Sequence, residues 1–416
     1  MIRNRKMSAP ALAAALLLGP ALAGCGEDGG SRDGGGTENS AANGRASARP
    51  HGYVEGAEET AEQQSRLVVS DGKNGEVGLV DLVKGGTTRI GTADKAVRWS
   101  TDGRFAFANG PDGSKIFDSG AWMVDHGDHT HYYRAEPREV GALRGKQAEH
   151  VYSSPSLTAV TFADGSAKLL DRARLEKGKL HETATIDEVR RGPVVPYGEY
   201  ALVPVPGPGG STVVAARDAE GRTRATLEED CPGLRGAAVT RRGAVFGCAD
   251  GALFVTSGKS GKPKAEKIPF GRKVPAGERP RSFQHRSLGT TLTAKAGDRG
   301  VWLLDVTGRR WRLIETGPVI AANAAGEGAP LVALDRSGAL TSYDVTDGKR
   351  IAHKETLKKL SVKNAARTVV EIDANRAYVN DIRARKIHEI DYNDDLRKAR
   401  SFSLDVTPAH MVETGR

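Results

Sequence analysis

From Arg66 onward, apolar residues come in short runs that alternate with polar ones or are β-branched throughout. No stretch keeps the 3.6-residue period of an amphipathic helix, so the pattern predicts strands. Pairs such as Asp102-Gly103, Asp164-Gly165 and Ser337-Gly338 separate the runs and favour tight turns between antiparallel strands. Residues 26 to 65 are different: rich in Gly, Ser, Ala and Glu, with few apolar positions. Such a stretch cannot offset its ordering entropy by burial and is expected to be a flexible tether.

One phrase returns along the strand-rich region: a turn, an apolar strand, then Asp. It ends at Asp81, Asp171, Asp218, Asp305, Asp344 and Asp391, at intervals of 90, 47, 87, 39 and 47 residues. The two long gaps each have room for a hidden copy, one ending near Asp118 or Asp125 and the other at Leu253–Ser257. Eight copies at about 44 residues fit the four-stranded blade of a β-propeller. The count gives an all-β fold of eight blades, or seven if one weak copy is a decorated loop. The first blade starts at Arg66 with no inner strand before it, whereas His410–Thr414 resembles the start of a blade that has no further strands. The C-terminal strand is therefore expected to pair into the first blade and close the ring, removing an exposed edge. Residues 66–416 form one domain on this reading.

The N-terminus reads as a targeting segment. Arg3, Arg5 and Lys6 precede an apolar stretch, Ala11–Leu18, too short for a permanent membrane span. It ends in Leu22-Ala23-Gly24-Cys25, which resembles the lipobox of bacterial lipoproteins. That resemblance implies a signal peptide at 1–24, acylation of Cys25, a tether at 25–65 and an extracytoplasmic protein lipid-anchored to the bacterial cell membrane. In that oxidising setting Cys231 and Cys248 are expected to form one disulfide, since their spacing is not that of a metal knuckle. The net charge of +9 is spread among acids, and no basic strip interleaved with aromatics suggests nucleic-acid binding. The membrane is contacted through the anchor alone.

The ten histidines are unevenly placed. Asp125-His126-Gly127-Asp128-His129-Thr130-His131 brings three imidazoles and two carboxylates together. On a strand His129 and His131 share a face, and a Gly-containing turn would fold His126 back toward them. Neutral imidazole is a good zinc ligand, and Asp125 or Asp128 could orient a ring or bind the ion itself. A second set, His150, His285 and His410, falls at similar places in the repeat, at the entrances of innermost strands lining a central channel. The two sets make one site or two. His51 is a lone histidine in the tether, and His181, His353 and His388 are read as surface residues.

His126-Gly127-Asp128-His129-x-His131-Tyr132-Tyr133, His285-Arg286 beginning an inner strand, and the ending His410-Met411-Val412-Glu413-Thr414-Gly415 together resemble the AztD-type zinc metallochaperones. The resemblance implies an extracytoplasmic propeller that binds Zn2+ and passes it to the solute-binding protein of an ABC importer. It carries zinc binding onto His126, His129 and His131, with His150, His285 and His410 as further partners. A His-rich mobile arm, present in some relatives, is reduced here to His51.

Two other functions compete with a carrier. Three histidines and a metal-bound water would suit a zinc-dependent hydrolase with Asp128 as general base, although no nucleophile motif or oxyanion loop stands out. A metal-free interaction scaffold is the third reading, and hydrolase assays and zinc uptake after chelation separate the three. Histidine ligation predicts zinc binding that weakens between pH 7.5 and 5.5, because protons compete for the same nitrogens.

Overall fold

The aspartate that ends most copies of the repeat caps the turn that follows it. In the computed structural model, which describes residues 53–416 apart from 94–95, 127–128, 191, 259–260 and 327, Asp81 accepts the amides of Val83 and Lys84 at 2.9 and 2.8 Å. Asp305 accepts that of Gly308 at 2.8 Å, and Asp344 that of Thr346 at 2.6 Å. The short side chain supplies the acceptor that a sharp turn needs, so the chain can double back where the apolar run stops. The runs before these residues are strands: Glu76–Asp81, Gly113–Asp118, Ala167–Asp171, Thr212–Arg217, Gly251–Ser257, Val301–Asp305, Ala339–Tyr343 and Lys386–Asp391. Both hidden copies are among them, at 113–118 and 251–257.

Among the described residues the strands make nine antiparallel sheets, seven of four strands and two of three. Most are meanders of consecutive strands, giving an all-β, propeller-like architecture. The sheet beginning at Arg66 takes its remaining strand from the other end of the chain. His410–Thr414 pairs with Arg66–Ser70, Ser70 facing His410 and Arg66 facing Thr414. One three-stranded sheet, Thr291–Ile314, has its inner strand reduced to a single bridge between Gln284 and Thr293. There Leu288 adopts φ 56° and the chain turns away. His285 therefore follows a lone bridge and does not begin an inner strand.

The core lies between sheets. Phe105, Phe107 and Ile116 of one pack against Val151, Val160 and Phe162 of the next. Leu67, Val69, Val80 and Met411 of the first sheet pack against Tyr378 and Ile387 of the last. A similar cluster lies between each intervening pair. Each fully buried Leu, Phe or Val contributes about 1.5–3 kcal/mol, so these clusters hold neighbouring sheets together. Cys231 and Cys248 are joined by a disulfide, their Cα atoms 5.0 Å apart. A cavity of about 580 Å³ lies among the inner strands, lined by Arg98, Glu149, His150, His285, Glu371 and Arg416 among others. No helix among the described residues is long and apolar enough to cross a membrane.

The targeting segment, Cys25, His51 and most of the tether lie outside the described residues, as does Asp128. Within the stretch read as tether, Glu58–Thr60 forms a strand that pairs with Thr130–Arg134, Glu59 opposite Tyr133. That pairing belongs to the remaining three-stranded sheet, which carries the histidine cluster.

Candidate metal centre

The sheet of Arg98–Arg144 is interrupted between its third strand, Gly113–Asp118, and its outer strand, Arg138–Arg144. The intervening chain leaves as a hairpin, Ala121–Asp125 out and Thr130–Arg134 back. Its base is fastened by polar groups. Ala135 N–H donates to the Gly120 carbonyl at 2.7 Å. The buried Arg66 guanidinium donates to the carbonyls of Ser119 and Ala135. Gly120 has φ +67°, and a Cβ there would lie 2.3 Å from the Ala135 oxygen, so only glycine allows so close a neck. Arg104 makes a two-pronged bond to Asp118 at 3.1 and 2.9 Å, and its guanidinium lies 3.7 Å over the Trp122 ring. Trp122 stacks on Tyr133 with centroids 5.4 Å apart, and Tyr133 on His131 at 6.3 Å. A continuous stack thus runs from the ring body to the imidazole.

At the tip, His126 N–H donates to the His129 carbonyl at 2.9 Å, so these two residues face each other. His131 lies two residues further on, on the same face as His129. The ring centroids are 4.9 Å apart for His126–His129 and His129–His131, and 5.3 Å for His126–His131. One ligand atom from each of the three comes within 4.8 Å of the others, with His126 and His129 exposed and His131 half-buried. The Nε2 atoms of His129 and His131 are 3.1 Å apart. Donors around a tetrahedral zinc with Zn–N of 2.0–2.1 Å stand about 3.3 Å from one another, so the spacing fits zinc. Three such ligands leave a coordination position for water or an incoming ligand. His131 Nδ1 is 2.6 Å from Glu59 Oε1, so Nδ1–H donates to the carboxylate and Nε2 presents its lone pair to the cluster. Burial, and then the Glu59 charge, raise the Tyr133 hydroxyl above its ordinary value. Asp125 pairs with Arg241 at 2.8 Å, tying the tip to a turn three sheets further along the chain.

The second histidine set forms no metal-competent group among the described residues, although His150 and His285 line one cavity. His150 is the third residue of its strand and has Glu149 and Arg98 as charged neighbours. His285 lies near Arg416, its Nδ1 2.7 Å from the Arg286 carbonyl. His410 begins its strand and lies near Arg367. Burial lowers all three below the usual imidazole value, His285 and His410 to about 4. Among the described residues the only metal-competent group is His126, His129 and His131. The hairpin follows a third strand, which runs parallel to the innermost one, and so emerges where inner strands end. His150 and His410 sit where theirs begin. Strand direction therefore separates the two sets. His181 and His353 are exposed, but His388 is buried. It lies on the third strand of its sheet with its Nδ1 2.8 Å from Ser401 and its Nε2 3.6 Å from Asp381, a structural role that corrects its reading as a surface residue.

No family model matches the sequence. Among curated proteins, the zinc chaperone AztD of Citrobacter koseri is 24% identical over 381 residues, covering 84% of this chain and 86% of that protein. The crystal structure of Citrobacter koseri AztD superposes with a TM-score of 0.70 at 22% identity, over 85% of this chain and 98% of the other. The chain resembles AztD. The structure of apo AztD gives a TM-score of 0.69 at 21% identity, again over 85% and 98%. At this identity the likeness to the AztD structures is one of fold, and it extends over nearly the whole of AztD. The sequence motif located the three hairpin histidines but not Glu59, which lies 72 residues from His131 with nothing around it to mark a partner.

Proposed function

We propose that this protein is a zinc carrier of the AztD kind, binding Zn2+ at His126, His129 and His131 and passing it to the solute-binding protein of a zinc ABC importer. The observation that carries the reading is the convergence of three imidazoles at an accessible hairpin tip, in a chain whose curated relative is a zinc chaperone. Three nitrogens bind zinc firmly, while the open fourth position lets an acceptor's ligand enter before the first ligands leave. A closed four-thiolate site would not release its ion so readily. The hydrolase reading has less support, because the curated relative is named as a chaperone and its general base, Asp128, lies outside the described residues. The protein is read as non-enzymatic.

The proposal includes the scaffold and its location. Eight blades form a ring closed by His410–Thr414, a count supported by the eight third strands and by the apolar cluster joining the last sheet to the first. The chain is extracytoplasmic and held to the membrane by lipid on Cys25. Cys25→Ser should move the protein from the membrane fraction to the soluble fraction; retention on membranes would refute the anchor.

Titration of the chelator-stripped protein with zinc tests the central reading. One ion per chain should bind at this site, and replacing His126, His129 and His131 together by Ala should abolish that binding. Unchanged stoichiometry in the triple variant would place the zinc elsewhere.

A further inference from the structure

The return strand of the hairpin has two neighbours. One is the outgoing strand, and the other is Glu58–Thr60, from the segment that precedes the ring. Backbone pairing and side-chain bonds fix this short strand. The backbone register places Glu58 opposite Arg134 and Thr60 opposite Tyr132. Glu58 pairs with Arg134 at 2.8 Å. Glu59 receives the His131 Nδ1 proton at 2.6 Å. All three residues are exposed or half-buried, unlike the ring strand Arg66–Ser70, which is buried throughout.

We propose that Glu58–Thr60 is a strap that sets the metal affinity of the hairpin, with Glu59 as the positioning residue for His131. The inference rests on the zinc reading of the three histidines and adds a means of regulation to it. A carboxylate on Nδ1–H fixes the tautomer and the ring plane, and it makes Nε2 a stronger donor. When the strap is docked, His131 is oriented toward His129. When it lifts, His131 loses both its orienting partner and the strand edge beside it, and the site weakens. An exposed three-residue strand buries little and opens far more readily than the ring strands do. The protein therefore has a tight state and a loose state separated by one small local movement. Collection of zinc suits the first and release the second. Linkage requires the converse: zinc must favour docking by the same factor by which docking favours zinc.

The test uses the full-length protein, with Zn2+ itself as the probe and a chelating dye as competitor. Removing an orienting partner of a metal-bound histidine typically weakens metal affinity by about 10–100-fold, and Glu59→Ala should fall in that range. Glu59→Gln keeps an oxygen to accept the Nδ1 proton and should recover part of the loss. Glu58→Ala removes only the ion pair to Arg134 and should cost less than Glu59→Ala. In the wild type, backbone amides of 58–60 and 130–134 should exchange more slowly with zinc than after chelation. The difference should vanish when the three histidines are Ala. Wild-type affinity in Glu59→Ala, a Glu59→Gln no better than Glu59→Ala, a Glu58→Ala as weak as Glu59→Ala, or exchange that ignores zinc would each overturn the strap while leaving the zinc site intact. Failure of the wild type to bind zinc, or full binding by the triple histidine variant, would instead remove the carrier reading on which the strap depends.

Discussion

At the residue scale, histidine has two uses in this chain, and environment separates them. His126, His129 and His131 gather at a tip where an ion can reach them. His285 and His410 are held neutral by burial, both with values lowered to about 4. Glu413 is the opposite case: fully buried, with its carboxyl raised to about 8 despite the attraction of Arg416 at 3.0 Å. These shifts fix a pH profile for folding. A histidine with a depressed native value favours the unfolded chain once that chain can protonate. His285 and His410 therefore withdraw stability as pH falls from about 6.5 toward 4. Glu413 holds a proton in the native state that the unfolded chain gives up, so it withdraws stability as pH rises from about 4.5 through 8. Urea midpoints should rise from pH 4 to about 6.5 and then decline toward pH 8, and Glu413→Gln should flatten the decline. A decline of equal size in that variant would show that Glu413 is not its source.

At the element scale, the decisive feature is the neck of the hairpin. Gly120 permits an approach that any side chain would block, and the Arg104–Trp122–Tyr133 stack transmits that fixed base to His131. Gly120→Ala should cost about 1–2 kcal/mol for the left-handed backbone alone, with the clash against Ala135 added. The effect should appear as faster amide exchange over 121–134 and weaker zinc binding, with little change in the exchange of the ring strands. Equal destabilisation throughout would mean that the neck is part of the ring's own cooperative unit. Much of the element level was legible in the sequence. The Asp that ends most repeats marks a real turn cap, and the His-x-His spacing does put two rings on one face. The strand Glu58–Thr60 was not legible, because three residues in a polar stretch carry no periodicity and acquire a partner only through the tertiary fold. His285 was misread for a related reason. The repeat predicted an inner strand, but Leu288 turns the chain after a single bridge.

At the scale of the whole molecule, the repeat marked comparable positions without showing how close they come. His150, His285 and His410 occupy comparable positions in the sequence. Around a ring, comparable positions are spread over different sheets, and these three meet different charged neighbours. The pairing of the last strand with the first sheet, by contrast, was readable, because a first sheet short of an inner strand and a last strand with no successors complete each other. That pairing also governs the order of folding. Thr414 and Arg66 are 348 positions apart and hydrogen-bonded. The opening sheet, first to leave the ribosome, stays one strand short until almost everything else has been made. Its unsatisfied edge is a sticky intermediate, and contacts so remote in sequence form slowly. Maturation of this fold should therefore be limited by the arrival of its final strand, and helpers that shield nascent edges should matter more to its yield than any single core residue.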